Sequence, residues 1–193
     1  ENGIHPKHSI IQYEKWFLNN ISEEDVVLDI GCNTGGMPKI LSEKAKFVYG
    51  IEIESIHIEK ARLVNSASNI EFICADAISF DYKILNHKIT KITLSNVLEH
   101  ISNRVSLLKS LTVNVNWKYK PKFLIRVPMI DRDWLAVYKK NLNIDYRLDR
   151  THVLEYTLEI LRNELSECNL EIIKYIIKYG ELYSVCELKI EQD

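Results

Sequence analysis

Val27-Leu28-Asp29-Ile30-Gly31-Cys32-Asn33-Thr34-Gly35-Gly36 is the stretch whose reading decides the fold. The apolar run Val26 to Ile30 predicts a short buried strand, and Pro38 to Lys46 carries a helical pattern. Between them the chain must turn sharply, and Gly31 permits it. The chain has only six glycines in 193 residues, and three of them, Gly31, Gly35 and Gly36, fall here. Gly35 and Gly36 let a ligand approach the backbone where the helix begins.

Outward from this turn the pattern alternates. Strands are expected at Phe47 to Ile51, Ile70 to Cys74, Ile89 to Leu94 and Phe123 to Val127, the last stopped by Pro128. Helices are expected over 9–20, with Ile10, Tyr13 and Phe17 on one face, and over 55–67, 102–117 and 158–168. Thr157 and Asn169 read as the N-cap and the left-handed C-terminal residue of the last of these. Glu171 to Tyr179 and Leu182 to Ile190 then form a hairpin around Gly180. The expected fold is α/β, a doubly wound Rossmann-like seven-stranded sheet, mostly parallel with an antiparallel C-terminal hairpin. One domain should span 1–193, with 1–22 as an N-terminal helical lid and 128–152 as a substrate-side insertion. Ligands in such sheets bind beyond the carboxyl ends of the strands.

Composition narrows the function classes. Hydrophobic residues make up 46% and charged residues 27%, with a formal net charge of −2. That is ordinary globular composition, and it gives no basic face of the kind that signals nucleic acid. Cys32, Cys74, Cys168 and Cys186 lack metal-ligand spacing and read as buried free thiols, consistent with a reducing, cytoplasmic setting. The amino-terminal residues Glu1-Asn2-Gly3 show neither the basic nor the apolar region of a signal peptide. No apolar run reaches the roughly 18 residues of a membrane span.

Glu52 follows the second strand, where a carboxylate can accept both hydroxyls of a ribose. A glycine turn with this carboxylate is a nucleoside-binding signature. A dinucleotide site favours glycine at the position of Asn33 and leaves the turn free for a pyrophosphate. Asp29 repels a pyrophosphate and suits an ammonium group or a cation. The string Asp29-Ile30-Gly31-Cys32-Asn33-Thr34-Gly35 resembles motif I of the class I S-adenosylmethionine-dependent methyltransferases, and the resemblance covers nearly the whole chain. It implies a cofactor site of Asp29, Gly31, Cys32, Asn33, Gly35, Glu52, Ile53, Asp76, Ala77 and Asn96. In it Glu52 meets the ribose, Asp76 and Ala77 the adenine, and Ser95 to His100 the region of the transferable methyl. His5-Pro6-Lys7-His8, Asn96-Val97-Leu98-Glu99-His100, Arg126-Val127-Pro128-Met129 and Asp149-Arg150-Thr151-His152 resemble small stand-alone bacterial or archaeal members. Many of those occur among genes for surface glycans, which implies polysaccharide biosynthesis.

Methyl transfer from a sulfonium needs positioning and, for a hydroxyl acceptor, a base. Among six histidines, His57 and His87 read as solvated surface residues, and His5 and His8 precede the first helix. His152 and His100 follow strand ends, so with Glu99 they are the catalytic candidates. Asn96, Glu99 and His100 share one face if that turn is helical. Glu99 and His100 could instead hold a divalent metal completed by His152. A related RNA-terminal methyltransferase class does so with a glutamate where this chain has Asn96, so no metal is expected. Residues 118–150 carry nine lysines and arginines against four aspartates, which would steer an anionic acceptor such as a phosphorylated or nucleotide-linked sugar. The expected activity is O-methylation of a small or glycan-like anionic acceptor. The alternatives are a nicotinamide-dependent oxidoreductase and an inactive cofactor-binding subunit.

Overall fold

The computed structural model describes residues 12–189. His5, His8, Ile10 and the start of the expected lid lie outside them. The described residues form one seven-stranded sheet in the order β3-β2-β1-β4-β5-β7-β6. The strands are β1 (Val26–Ile30), β2 (Phe47–Glu52), β3 (Ile70–Cys74), β4 (Lys91–Ser95), β5 (Lys122–Pro128), β6 (Leu170–Lys178) and β7 (Glu181–Leu188). The first five pair in parallel, and β7 lies antiparallel between β5 and β6. The chain reverses direction across the sheet between β1 and β4, which opens a crevice at their carboxyl ends.

The helices are α1 (Tyr13–Asn19), α2 (Gly36–Ser42), α3 (Ser55–Val64), α4 (Arg104–Asn114), α5 (Trp134–Asn141) and α6 (Leu158–Glu167). One face of the sheet buries Leu28, Ile92 and Ile125 against Leu107 and Leu111 of α4 and Leu161 and Leu165 of α6. The other buries Val27, Val48 and Leu124 against Phe17 of α1 and Leu41 of α2. Residues 12–22, the described part of the expected lid, thus contribute to the core through Phe17 and Ile21. Thr157 caps α6 by accepting the Ile160 N–H at 3.2 Å, and Asn169 has φ 55, both as the sequence predicts.

One local expectation fails, at Cys74, and one helix is not foreseen. Helix α5 falls within the stretch read only as an insertion. Its apolar side chains Trp134, Leu135 and Tyr138 are exposed and only Ala136 is buried, so no apolar face marks it. Its start is set by Asp133, which accepts the Ala136 N–H at 2.9 Å. Cys74 is exposed, whereas Cys32, Cys168 and Cys186 are the expected buried thiols. Among the described residues no helix is long and apolar enough to cross a membrane.

Candidate functional site

A cavity of about 590 Å³ lies at the carboxyl ends of β1, β2 and β4, bordered by the turn after β3. That volume suits a nucleoside-sized ligand. Of the residues expected to hold the cofactor, Gly31, Asn33, Glu52, Ile53, Asp76, Ala77 and Asn96 line it. Gly31 turns the chain with φ +70. A Cβ there would stand 2.7 Å from Val97 Cγ2, so both conformation and space call for glycine. Asn33 takes the left-handed region at φ 48. Its own Oδ1 accepts the Thr34 N–H at 2.7 Å, which is how asparagine replaces glycine at this corner.

Glu52 is fixed by the backbone. Oε2 accepts the Asn33 N–H at 3.0 Å, and Oε1 accepts the N–H groups of Ile53 and Glu54 at 2.9 and 3.2 Å. Its carboxylate is therefore held at the cavity rim before any ligand arrives. Asp76 is set similarly, with Oδ1 accepting the Ile78 N–H at 2.9 Å. Two polar atoms among the lining residues are buried without a partner, His57 Nδ1 and Asn96 Oδ1. Burying such atoms unpaired is costly, and a polar ligand would satisfy them. His57 corrects the sequence expectation of a solvated residue, because the start of α3 brings it into the wall. His87 is not free either: its Nδ1 meets the Tyr49 hydroxyl at 2.8 Å and its ring stacks on Phe47.

Asp29, Cys32 and Gly35 stand behind the cavity and support the turn. Cys32 packs with Ile58, Ala61 and Phe72. Gly35 has φ +82, and a Cβ there would come within 2.6 Å of Asn65 Nδ2. The Asp29 side chain is buried and accepts the Thr93 hydroxyl at 2.5 Å. Burial, reinforced by the Glu52 charge, raises its carboxyl from 3.8 to about 7. The native state therefore keeps a proton that the unfolded chain releases near pH 4. The resulting stabilisation is full below about pH 4 and is lost as pH rises to about 7. Asp29→Asn should remove this decline. Urea titrations are expected to show its stability relative to wild type rising toward neutral pH, by at most about 4 kcal/mol. Parallel pH profiles would contradict the assignment.

The other wall of the cavity follows β4. Asn96, at φ 55, starts a turn that becomes a short 3₁₀ helix, Leu98–His100. Glu99 is fully buried, and both of its carboxylate oxygens lack a hydrogen-bond partner. Burial raises its carboxyl to about 8. His100 lines the cavity, and its Nδ1 lies 3.0 Å from the Thr151 hydroxyl. Burial and the neighbouring His152 lower its pKa. The His100 and His152 rings meet edge to face with centroids 4.8 Å apart. His152 does not line the cavity. It is buried with Nδ1 3.3 Å from Glu155 Oε1. One ligand atom each from Glu99, His100 and His152 lie within 4.8 Å of one another.

Four of the nine cations of segment 118–150 have acidic partners within the chain. Lys122 sits at the amino end of β5, away from the cavity, and pairs with Glu187 at 2.7 Å. Arg126 is buried inside the sheet, with Nε and Nη2 donating to Glu181 at 2.5 and 3.0 Å. Arg132 pairs with Glu155, and Arg147 with Asp145. These arginines hold the insertion together, since Arg132 also donates to the Met129 and Tyr146 carbonyls and Arg147 to that of His152.

Residues 10–175 match the family model for a methyltransferase domain. Two relatives in sequence are RNA methyltransferases. One, an uncharacterized RNA methyltransferase of Oceanobacillus iheyensis, is 36% identical over 38% of this chain and 17% of its own length. The other, the 23S rRNA (uracil(1939)-C(5))-methyltransferase of Marinomonas sp., is 33% identical over 50% of this chain and 21% of its own length. The chain thus spans about a fifth of these relatives. The fold is shared with the magnesium protoporphyrin IX methyltransferase of Synechocystis, solved with bound S-adenosylhomocysteine (TM-score 0.69, 14% identity, 94% of this chain and 83% of that one). It is also shared with a methyltransferase of Methanosarcina mazei (TM-score 0.70, 18% identity, 97% and 99%) and with a small RNA methyltransferase (TM-score 0.73, 14% identity, 100% and 27%). Turn, Glu52 and matched domain agree: the chain belongs to the class I S-adenosylmethionine-dependent methyltransferases, and S-adenosylmethionine is its cofactor.

Proposed function

We propose that this chain methylates a hydroxyl oxygen of a small, glycan-like acceptor. The observation that carries this reading is the Glu99, His100 and His152 cluster beside the cavity. S-adenosylmethionine supplies a methyl group activated on its sulfonium and leaves as S-adenosylhomocysteine. Glu52 accepts the ribose hydroxyls, Asp76 and Ala77 border the adenine, and Gly31, Asn33 and Asn96 border the rest of the cofactor. Asp29, Cys32 and Gly35 keep the turn in shape from behind. His100, neutral near pH 7, takes the acceptor's proton as the O–CH₃ bond forms. His152 orients it from the inner side and is itself held by Glu155.

A divalent cation at the same cluster is favoured by one observation, the fully buried Glu99 carboxylate with no donor on either oxygen. Glu99, His100 and His152 offer one oxygen and two nitrogens, a donor set that suits a transition metal. Bound there, the ion would supply Lewis acidity to an acceptor oxygen. The anionic acceptor expected from segment 118–150 is less well supported now that Arg126, Arg132 and Arg147 have acidic partners. A role in polysaccharide biosynthesis rests on the sequence resemblance alone. RNA relatives keep nucleic acid open as acceptor, because a ribose hydroxyl presents the same chemistry as a sugar hydroxyl.

A methyl-transfer assay tests the reading with labelled cofactor against phosphorylated sugars, nucleotide-linked sugars and short RNAs. A sugar acceptor should be methylated, and His100→Ala should lower turnover about 10²- to 10⁴-fold with cofactor binding unchanged. Label transferred only to RNA would overturn the acceptor, and full turnover in His100→Ala would overturn the base. Activity that survives exhaustive chelation would overturn the cation.

A further inference from the structure

The geometry points to strand β6 as the surface on which two copies of this chain pair about a twofold axis. Strand β6 ends the sheet, and among the described residues nothing pairs with its outer side. It is nine residues long, Leu170-Glu171-Ile172-Ile173-Lys174-Tyr175-Ile176-Ile177-Lys178. Ile173, Tyr175, Ile176 and Ile177 are each 39–53% exposed. A long, exposed apolar edge with free backbone groups is a template for another strand. Natural edges are protected by charge, and this one carries Glu171, Lys174 and Lys178.

Those charges select the occupant. Pairing to β7 places Ile172 opposite Cys186 and Lys174 opposite Val185, so Ile173 is an extra residue in a bulge. The bulge shifts the alternation of faces between the two halves of the strand. Glu171 and Lys178 consequently share one face of the sheet, and Ile172, Tyr175 and Ile177 share the other.

An antiparallel copy of β6 centred on Tyr175 therefore brings like faces together along the whole strand. Glu171 of each copy stands opposite Lys178 of the other, and Ile172 stands opposite Ile177. Tyr175 meets its own counterpart on the axis, and Lys174, beside the bulge, stands opposite Ile176 of the other copy. The opposite charges at both ends and the two Ile172–Ile177 pairs are what favour this cross-strand register. Without the bulge the same residues would meet with faces out of phase. The contact is isologous and closes with two copies. It lies at the sheet edge remote from the β1–β4 crevice, so it does not depend on the proposed reaction.

Sedimentation of the full chain tests this pairing. Wild type should sediment at twice the chain mass of 22.6 kDa. Lys178→Glu sets like charges opposite each other at both ends and should shift the population to monomer while the circular dichroism of the folded chain is retained. The exchange Glu171→Lys with Lys178→Glu restores opposite charges in the same register and should return the dimer. A monomeric wild type would overturn the proposal. So would a dimer indifferent to Lys178→Glu, or an exchange variant that stays monomeric while folded.

Discussion

Replacing Arg126 by alanine is expected to destabilise the fold by about 3–5 kcal/mol. Arg126 is 3% exposed and Glu181 is 1% exposed, and they meet through two hydrogen bonds. A third donation runs to the Ser95 hydroxyl at 3.2 Å, and the Tyr13 ring lies 4.0 Å from the guanidinium. Alanine at 126 leaves the Glu181 carboxylate buried opposite a void. The expected loss comes mainly from a buried carboxylate that keeps the Tyr183 hydroxyl at 3.1 Å but loses its cation, rather than from the attraction itself. Arg126→Met combined with Glu181→Leu removes both charges and keeps most of the volume. It should recover most of the stability that Arg126→Ala loses. Chemical denaturation of wild type, Arg126→Ala and the double variant checks this. A single Arg126→Ala loss below about 1 kcal/mol would mean that the pair is solvated.

Glu52→Ala is expected to weaken S-adenosylmethionine binding about 100-fold. Two charge-assisted hydrogen bonds from ribose hydroxyls to one carboxylate contribute together about 3 kcal/mol, equivalent to that factor. Three backbone N–H groups hold the carboxylate in place beforehand, so little ordering cost offsets the contacts. Alanine also removes the acceptor of the Asn33 N–H and loosens the turn. Glu52→Gln retains the shape, loses the charge and should fall between the two. Calorimetric titration of the three proteins gives the order directly, and an affinity for Glu52→Ala equal to wild type would place the ribose elsewhere.

The sheet was legible because its strands are short apolar runs separated by helical patterns, and because Gly180 joins two such runs too closely for a crossover. Motif residues were legible where backbone geometry demands them, as at Gly31 and Asn33. The charge of a segment was not legible as location. The charge of segment 118–150 includes Arg126, yet this residue sits in a strand between Ile125 and Val127, and only pairing with β7 sets Glu181 beside it. His57 reads as solvated from sequence because it lies in a helix, whereas the start of that helix delivers it to the cavity wall. His100 and His152 were found, but their different depths were not. That difference comes from Glu155, which lies three residues beyond His152 and is tied to Arg132.

Calorimetric titration of the wild-type chain with S-adenosylmethionine, and separately with NADH, reads the cavity most directly. One molecule of S-adenosylmethionine should bind per chain with measurable heat, and NADH should not bind. No binding of S-adenosylmethionine, or binding of NADH in its place, would contradict the assignment of this cavity as the cofactor site.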